Sequence, residues 1–185
     1  EGSVGEVIDL LMEYPLKISA EIILRVVHCL ISNPNTSLSN VKIVYSHPQA
    51  LGQCRSFLEK LNCKIVPVYD TAGSVKMIKN IRDAAAIASE RAAYIYGMKI
   101  LAKGIEDDKS NYTRFLLLSR DEYSRKTGND KTTVMFKIEH KPGSLYRVLE
   151  EFAKRQINLT KIESRPVKGC PWEYFFYLDF EGHIS

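Results

Sequence analysis

Three short segments contain side chains that could bind a small anion or assist a leaving group. Ser46–Gln53 and Asp70–Ser74 each follow an apolar run and are rich in hydroxyl, amide or small residues, and Asn111–Phe115 places a hydroxyl, a guanidinium and an aromatic ring in succession. Open parallel sheets bind ligands beyond the carboxyl ends of their strands, where helix N-termini present free N–H groups. The first two segments could therefore hold carboxylates together, although spacing alone favours turn and capping roles for Ser46 and Thr71.

Strand alternation predicts how the third segment presents its side chains. Neighbouring residues of a strand point to opposite faces of the sheet, so Thr113 and Phe115 should share one face and Arg114 should lie on the other. From this pattern alone, an ordinary edge strand is the simplest interpretation of the segment.

Other groupings of reactive side chains have a structural interpretation. His47 and Cys54 are separated by a turn and part of a helix and have no third orienting residue, so we expect a turn histidine and a buried cysteine. The carboxylates of Glu106–Asp108 stand in a polar loop, which predicts a solvated surface rather than an acid–base pair. The cysteines have neither CxxC spacing nor histidine partners, so we expect reduced thiols, no metal site and no cofactor.

Alternating strands and helices must position these segments. The predicted elements are strands at Val41–Tyr45, Lys64–Tyr69 and Tyr112–Leu118, helices at Ala50–Leu61 and Arg91–Leu101, an amphipathic stripe at Val75, Ile78 and Ile81, and a buried strand or helix start at Ala84–Ala88. Such alternation predicts a mostly parallel α/β sheet.

A polar stretch, Ser119–Lys131, is the predicted linker to a second pattern. Beyond it the predicted order is strand, helix, strand, strand, at Thr132–Glu139, Leu145–Arg155, Leu159–Ser164 and Tyr174–Phe180. This order matches the first two thirds of a ferredoxin-like βαββαβ module. The last strand is apolar on both faces, which fits cover by helices and a partner subunit, or burial within one chain.

The overall composition limits the possible partners. The chain has 185 residues, of which 45% are hydrophobic and 26% charged, and its 26 Lys and Arg residues against 22 Asp and Glu residues give a net charge of +4. This mild and unclustered excess favours a small acidic ligand and no nucleic-acid partner. The most apolar helical stretch, Ile22–Ile31, is far shorter than the roughly 20 residues of a bilayer span, so we expect no membrane partner and a cytoplasmic location.

In combination, these motifs resemble those of the prephenate dehydratase family over nearly the whole chain. The opening, Glu1–Val4, is similar to the segment that ends the first part of the family's catalytic domain. Ser46–Cys54 is similar to the family's SHPQ-x-x-x-QC signature, Asp70–Ser74 to its substrate-site turn, and Asn111–Phe115 to its N-x-TRF motif, whose threonine the family requires for activity.

The second pattern resembles an ACT regulatory module. Lys141–Leu145 is similar to the KPGAL effector turn of that module, with Ser144 in place of the commoner Ala, and Glu163–Pro166 matches its ESRP motif. In the family this module binds phenylalanine at a dimer interface and feeds inhibition back to the catalytic domain.

The resemblance implies a fold class and a division of the chain. The implied fold is α/β, a periplasmic-binding-protein-like (type II) two-lobed catalytic domain followed by a ferredoxin-like α+β ACT domain. We expect the catalytic domain at residues 1–118, the linker at 119–131 and the ACT domain at 132–185. Relative to the family, the catalytic domain should be incomplete at its N-terminus and the ACT domain at its C-terminus.

The resemblance also implies an activity, namely the decarboxylating dehydration of prephenate to phenylpyruvate in phenylalanine biosynthesis, with L-phenylalanine as allosteric effector. The implied assembly is a homodimer or homotetramer. Thr113 is implied as the catalytic residue. The implied substrate-binding residues are Ser46, Gln53, Thr71, Ala72, Arg114 and Phe115, and the implied effector-binding residues are Gly143, Ser144, Leu145, Glu163, Ser164, Arg165 and Pro166.

Two residues carry the expected mechanism. A threonine hydroxyl is too weak an acid to protonate a leaving group at neutral pH, so Thr113 should donate a hydrogen bond to the departing oxygen. Arg114 suits a substrate carboxylate, but its strand parity favours a structural role. The alternative functions are arogenate dehydratase, which performs the same elimination on the amino analogue, and an amino-acid sensor without catalysis.

Overall fold

Strands and helices alternate along the chain, as the hydrophobic pattern predicts. The computed structural model describes residues 4–121, 125–167 and 169–185. Residues 1–3 of the opening motif and residues 122–124 of the predicted linker therefore lie outside the described residues. The contacts divide the chain into two units, one of residues 23–115 and one of residues 1–22 together with 116–185. No helix among the described residues is both long and apolar enough to cross a membrane.

The first unit, here called the α/β unit, is built on a five-stranded sheet. In chain order its strands are β2 (Cys29–Ser32), β3 (Ile43–Ser46), β4 (Lys64–Pro67), β5 (Ala84–Ala88) and β6 (Lys99–Lys103), and their order across the sheet is β4-β3-β5-β2-β6. β3 runs parallel to β4 and β5, but β2 runs antiparallel to β5 and β6. The prediction of a mostly parallel sheet was therefore wrong, because two of the four strand pairs are antiparallel.

Three strands were missed, and residues of each lie in stretches that also suit a helix. The apolar stretch Ile22–Ile31, taken as helical, contains the end of one strand and most of β2. The predicted helix Arg91–Leu101 ends at Tyr96, because Gly97 adopts a left-handed conformation with φ of 63°. A left-handed glycine commonly ends a helix, and here β6 follows two residues later.

The helices of the α/β unit are short, and side chains cap three of them. They are α2 (Pro48–Gly52), α3 (Arg55–Leu61), α4 (Thr71–Met77) and α5 (Glu90–Tyr96), with N-terminal caps from His47, Asp70 and Ser89 on α2, α4 and α5. The single helix predicted at Ala50–Leu61 is two helices, interrupted at Gln53 and Cys54. This interruption leaves the Gln53 side chain between two helix ends.

The core of the α/β unit lies on both faces of the sheet. All five residues of β5 are fully buried, which confirms the buried-strand alternative for Ala84–Ala88. One face packs Leu30, Val44, Ala85 and Ile87 with α2 and α3, and the other packs Ile31, Ala84, Ala86 and Ala88 with α4 and α5. The small alanine side chains suit a strand that helices cover on both sides.

The second unit contains helix α1 (Gly5–Glu13) and a three-stranded antiparallel sheet. The sheet consists of β8 (Lys131–Lys137), β9 (Leu159–Pro166) and β10 (Tyr174–Glu181) in the order β8-β10-β9, with helix α6 (Ser144–Lys154) between β8 and β9. This is the split β-α-β arrangement of a ferredoxin-like module, as predicted. Two further strands, β1 (Lys17–Arg25) and β7 (Tyr112–Ser119), pair with each other and contribute residues to both units.

Both faces of β10 are covered within this chain. On one face the rings of Phe152 in α6 and Phe180 in β10 lie 5.4 Å apart. On the other face Phe175 and Tyr177 form a cluster with Ile8 and Leu11 of α1. The apolar pattern of β10 fits cover by a partner subunit or burial within one chain, and the second face is in fact covered by a helix of the same chain.

Candidate functional site

The sheet topology of the α/β unit brings four of the seven predicted catalytic and substrate-binding residues to one edge. The parallel strands β3, β4 and β5 end at this edge, where Ser46 lies beside Pro67. β2 runs the opposite way and begins there, with Cys29 opposite Ala88 of β5 and Lys103 of β6. We call this the loaded edge, because the segments containing Ser46, Gln53 and Thr71 all leave the sheet at it.

Ser46 and Thr71 have well-defined structural contacts at the loaded edge. Ser46 is fully buried, and its Oγ donates a hydrogen bond to the carbonyl oxygen of Ile87 at 2.7 Å. The Asp70 carboxylate accepts a hydrogen bond from the Ala72 amide at 3.0 Å, and the Thr71 carbonyl accepts one from Ser74 Oγ at 2.6 Å. The capping role in the second turn thus belongs to Asp70 rather than to Thr71, and Ser46 bonds across to β5 instead of capping a turn.

The turn that contains Thr71 depends on a glycine. A Cβ atom at Gly73 would lie 2.6 Å from Asp70 Oδ2, which is closer than real Cβ atoms approach another atom. Glycine at this position therefore lets the Asp70 carboxylate fold back over the first turn of α4.

Gln53 contacts a histidine that no predicted motif contains. Gln53 Oε1 lies 2.7 Å from Nε2 of His28, a residue that is 6% exposed and directly precedes β2. The Gln53 carbonyl accepts a hydrogen bond from the Asp107 amide at 2.8 Å. Both ends of Gln53 are thus held by groups of the loaded edge.

Glu106 is the second unpredicted member of the site. It is 3% exposed, so the expectation of a solvated surface was wrong for this residue, although Asp107 and Asp108 are exposed. Glu106 Oε2 accepts a hydrogen bond from the His28 amide at 2.9 Å. Its Oε1 lies 3.6 Å from both Arg25 Nη2 and Lys109 Nζ, and it accepts no hydrogen bond from any described residue.

Competing effects set the charge state of Glu106. Burial by itself would raise the pKa of this carboxyl, because a charged group loses solvation. Hydrogen bonds from the backbone amides of His28 and of Glu106 itself, together with the charges of Lys109 and Arg25, outweigh burial and lower the pKa of Glu106 below its ordinary value of 4.5. Glu106 is therefore a buried carboxylate anion at neutral pH.

Thr113 lies at the start of β7, and that start is tied to the loaded edge. The Asn111 carbonyl accepts a hydrogen bond from the Val26 amide at 2.8 Å, and the Lys109 carbonyl accepts one from Arg25 Nε at 3.1 Å. Along β7 Thr113 and Phe115 are exposed, whereas Arg114 between them is half-buried. The predicted alternation is thus confirmed, and Arg114 faces away from Thr113.

His47 and Cys54, which the sequence did not favour as a nucleophilic pair, have the expected structure. His47 Nδ1 accepts a hydrogen bond from the Gln49 amide at 3.2 Å and caps α2. Cys54 is fully buried, and burial raises the pKa of its thiol to about 12, with a further contribution from the charges of Asp107 and Glu106. A thiol with so high a pKa is not a nucleophile at neutral pH. Within the described ranges, no cluster of three or more histidines, cysteines and carboxylates could hold a metal ion.

The second unit contains a separate cavity at the predicted effector turn. Its volume is about 270 Å³, and its walls are formed by the residues that follow β8, the turn before α6, the first turn of α6 and an aromatic group near β10. The lining includes Gly143, Ser144 and Leu145 on one side and Trp172, Tyr174 and Phe176 on the other. Gly143 has φ of 79°, a left-handed conformation that favours glycine.

The residues of the ESRP motif lie on β9, and none of them lines that cavity. Ser164 and Pro166 are exposed, whereas Glu163 and Arg165 are half-buried. Arg165 makes a two-point contact with Asp9 of α1, from Nε to Oδ1 at 3.0 Å and from Nη2 to Oδ2 at 2.8 Å. The guanidinium also covers Gly5, where a Cβ atom would lie 2.7 Å from Nη1.

Sequence reasoning missed His28, Arg25 and Glu106. The available signal was the presence of Arg25 and His28 inside the apolar stretch Ile22–Ile31, where charged and polar residues are unusual. Glu106 had no such signal, because the two residues after it in the sequence are acidic and a run of three acidic residues usually lies on the protein surface.

Comparison with protein families gives two matches that together span nearly the whole chain. The family model for prephenate dehydratase matches residues 1–123, and that for the ACT domain matches residues 132–185.

Curated relatives carry the same family names. Arogenate dehydratase/prephenate dehydratase 2 (chloroplastic) of Arabidopsis thaliana is 45% identical over 196 residues, which cover 100% of this chain and 51% of the relative. The bifunctional chorismate mutase/prephenate dehydratase of Aquifex aeolicus is 44% identical over 185 residues, which cover 99% of this chain and 51% of the relative. The chain spans about half the length of these relatives.

Solved structures share the fold. A prephenate dehydratase from Arthrobacter aurescens in complex with L-Phe has a TM-score of 0.88 and 34% identity, covering 100% of this chain and 62% of that one. GqqA, described as a novel type of quorum-quenching acylase, has a TM-score of 0.86 and 33% identity, covering 99% of this chain and 68% of that one. These matches confirm the predicted fold class, a type II periplasmic-binding-protein-like α/β domain followed by a ferredoxin-like ACT domain.

Proposed function

The chain belongs to the prephenate dehydratase family, and on this basis we propose that the full-length protein converts prephenate to phenylpyruvate, carbon dioxide and water. The bond between the ring and its carboxylate breaks, and its electron pair completes the aromatic ring. The ring carbon–oxygen bond breaks with its pair on the departing hydroxide, which becomes water by taking one proton. Because aromatisation drives the elimination, the protein has to bind a dianion and help the hydroxide leave.

The observation that carries this proposal is the exposed Thr113 hydroxyl beside the loaded edge. The Val26 amide donates a hydrogen bond to the Asn111 carbonyl. Thr113 lies two residues after Asn111 in the chain, and His28 lies two residues after Val26. A hydroxyl held on a strand keeps its position while charge develops on the leaving oxygen, and a preorganised donor stabilises that charge. Thr113 therefore donates a hydrogen bond to the departing hydroxide.

Replacement of Thr113 tests the proposal directly. In the full-length protein, Thr113→Ala should lower kcat for phenylpyruvate formation by about 10²- to 10³-fold, the loss observed when one such donor is removed. Thr113→Ser is the matched control, because it keeps the hydroxyl, and it should retain activity within about tenfold of the original. Ultraviolet detection of phenylpyruvate measures both. A Thr113→Ala variant within about threefold of the original protein contradicts the role.

The loaded edge supports substrate-positioning roles for the remaining residues. Ser46 is fully buried and positions the end of β3 through its bond to Ile87. Gln53 presents its carboxamide between α2 and α3, and Thr71 and Ala72 open α4. Orientation by several such groups lowers a reaction barrier by several kcal/mol.

Phe115 and Arg114 have different places on β7. Phe115 is exposed on the same face as Thr113, so it can pack against the substrate ring. Arg114 lies on the opposite face, which supports a structural role over contact with a substrate carboxylate.

The ACT domain supports feedback inhibition by L-phenylalanine. The cavity beside Gly143, Ser144 and Leu145 has an aromatic wall of Trp172, Tyr174 and Phe176, which suits an aromatic side chain. Because the ESRP residues of the same chain do not line this cavity, Ser164 and Pro166 on the exposed side of β9 would complete the site from a second copy. The proposed assembly is accordingly a homodimer or homotetramer.

Arg165 and Glu163 would act from the half-buried side of β9. Arg165 binds the Asp9 carboxylate, so it joins the ESRP motif to α1, a helix within the residues that match the prephenate dehydratase model. This ion pair supports a route by which effector binding at the ACT domain reaches the catalytic domain.

Arogenate dehydratase is the alternative function, favoured by the names of the plant relatives. Prephenate has a keto group where arogenate has an ammonium group. A site that binds the ammonium group rejects the keto acid strongly. Comparison of kcat/KM for prephenate and arogenate decides between them.

An acylase reaction, suggested by one of the similar structures, has less support from this site. An acylase needs an activated nucleophile. At the loaded edge the Cys54 thiol has its pKa raised to about 12, and the Ser46 hydroxyl donates to a carbonyl oxygen of the sheet.

The proposed domain boundaries are residues 1–118, 119–131 and 132–185, and the ends of the two family matches at residues 123 and 132 support them. The proposed location is the cytoplasm, which the four free cysteines support as thiols of a reducing compartment. A plastid is the alternative, since the Arabidopsis relative is chloroplastic.

A further inference from the structure

His28 is buried at the loaded edge and its backbone is held on both sides. Its amide donates to Glu106 Oε2 at 2.9 Å, and its carbonyl accepts hydrogen bonds from the amides of Gly104 at 2.9 Å and Ile105 at 3.1 Å. A residue with its backbone fixed in this way presents its ring in a defined direction. That direction is towards Gln53, whose Oε1 lies 2.7 Å from His28 Nε2.

The chemistry of this contact determines what remains of Gln53 for a ligand. A carboxamide oxygen only accepts hydrogen bonds, so the proton of this short contact lies on His28 Nε2. The Gln53 amide nitrogen then keeps both of its hydrogens, and none of the described residues accepts a hydrogen bond from it. Without His28 the carboxamide could turn over and present its oxygen, which repels an anion.

We infer that His28 is a positioning residue that orients the Gln53 carboxamide so that its N–H groups face the substrate. This inference rests on the proposed function, because Gln53 is a substrate-binding residue only if the protein is a dehydratase of this family. It assigns a role to a residue outside the SHPQ-x-x-x-QC, substrate-turn and N-x-TRF motifs.

Glu106 supports the same arrangement from behind. Its buried carboxylate binds the His28 amide through Oε2, while Oε1 faces Arg25 and Lys109 at 3.6 Å. The chain Glu106, His28, Gln53 therefore runs from the end of β6 to the loop between α2 and α3. A substrate group bound by Gln53 is positioned by contacts that reach back into the sheet.

A double-mutant cycle in the full-length protein tests this inference. Gln53→Ala and His28→Leu should each raise KM by about ten- to hundredfold with a smaller change in kcat, because they remove a binding contact present before the transition state. Added to Gln53→Ala, the His28→Leu change should alter kcat/KM by less than about twofold, because both variants remove the same contact. If the double variant loses kcat/KM by the product of the two single-variant losses, the inference is overturned.

His28→Gln is the matched variant, since its side-chain amide can donate to Gln53 Oε1 from nearly the place of His28 Nε2. It should keep kcat/KM within about threefold, whereas His28→Leu should not. Equal losses in His28→Gln and His28→Leu, with both proteins folded by circular dichroism, would overturn the inference. If the unsubstituted protein forms product from neither prephenate nor arogenate, the proposed function fails instead, and the two failures are distinguishable.

Discussion

The α/β unit and the sheet of the ACT domain hold their functional residues in different ways. In the α/β unit the sheet is covered on both faces, and polar groups of the loaded edge bind one another, as Ser46 binds Ile87 and His28 binds Gln53. In the ACT domain the effector cavity has an exposed aromatic wall, where Trp172 is 76% exposed. The proposed catalytic region is thus held by contacts among its own residues, and the proposed effector region is open.

The difference follows from what each site has to do. A reaction site gains rate from donors that need no rearrangement in the transition state, and rigid elements provide them. A regulatory site can act only if the ligand binds one conformation better than another. Apolar surface left open beside Gly143 can be covered when an effector or a second copy binds, and that burial supplies the free energy for a change.

Truncation of a buried residue in one sheet and of an exposed residue in the other should produce the largest contrast. Leu30→Ala, in the fully buried strand β2, should lower the free energy of unfolding by about 2–5 kcal/mol, because it removes apolar contacts and leaves a cavity. Ile162→Ala, in β9 of the ACT domain and 46% exposed, should lower it by about 0.5 kcal/mol or less. Urea denaturation followed by circular dichroism measures both, and equal losses would contradict the contrast.

Loss of the buried carboxylate should have the next largest effect. Glu106→Ala should lower the free energy of unfolding by about 3 kcal/mol, since the buried His28 amide loses its acceptor and two cations lose their counter-ion. Glu139→Ala, which removes an exposed carboxylate 2.9 Å from Lys141 in the ACT domain, should change it by about 0.5 kcal/mol or less. A smaller loss for Glu106→Ala than for Glu139→Ala would contradict the contrast.

Acidification sharpens the same prediction. The pKa of Glu106 is lower in the folded protein than its ordinary value of 4.5, so its stabilisation is present above that value and is lost as the pH falls through the folded pKa. Glu106→Gln, which cannot titrate, should therefore show a shallower loss of stability below about pH 4.5. Urea titrations at several acidic pH values check this, and identical slopes would contradict it.

The sequence predicted features that depend on near neighbours. Alternation placed Thr113 and Phe115 together and Arg114 opposite, and the capping role of Asp70 followed from its place before a helix. The buried strand Ala84–Ala88 was one of two predicted alternatives because a short apolar run suits both a strand and a helix. The helices that pack on both faces of this segment explain why a strand of small side chains is accommodated there.

Features that depend on distant residues could not be predicted in this way. Glu106 is buried because it binds the amide of His28, which lies 78 residues earlier, and nothing beside Glu106 in the sequence indicates that contact. Helix α1 was not predicted, and its apolar side packs on Phe175 and Tyr177 of β10, which lie far along the chain. The antiparallel β2 was missed for the same reason, since its strand partners lie more than fifty residues away.

A small change in stability is expected for the ion pair that joins the ACT sheet to α1. Asp9→Asn keeps the shape of the side chain but removes its charge, and because both partners of the pair are partly exposed, the free energy of unfolding should fall by only about 0.5–1 kcal/mol. The effect on regulation should be larger.

In the Asp9→Asn variant, calorimetry should still detect phenylalanine binding. Inhibition of the full-length enzyme by phenylalanine should weaken, because Arg165 no longer holds α1 firmly. Glu6→Gln removes the same charge from an exposed position of α1 and should leave inhibition unchanged. Equal inhibition of both variants by phenylalanine would show that the open effector region reaches the fixed catalytic region by a route other than Asp9 and Arg165.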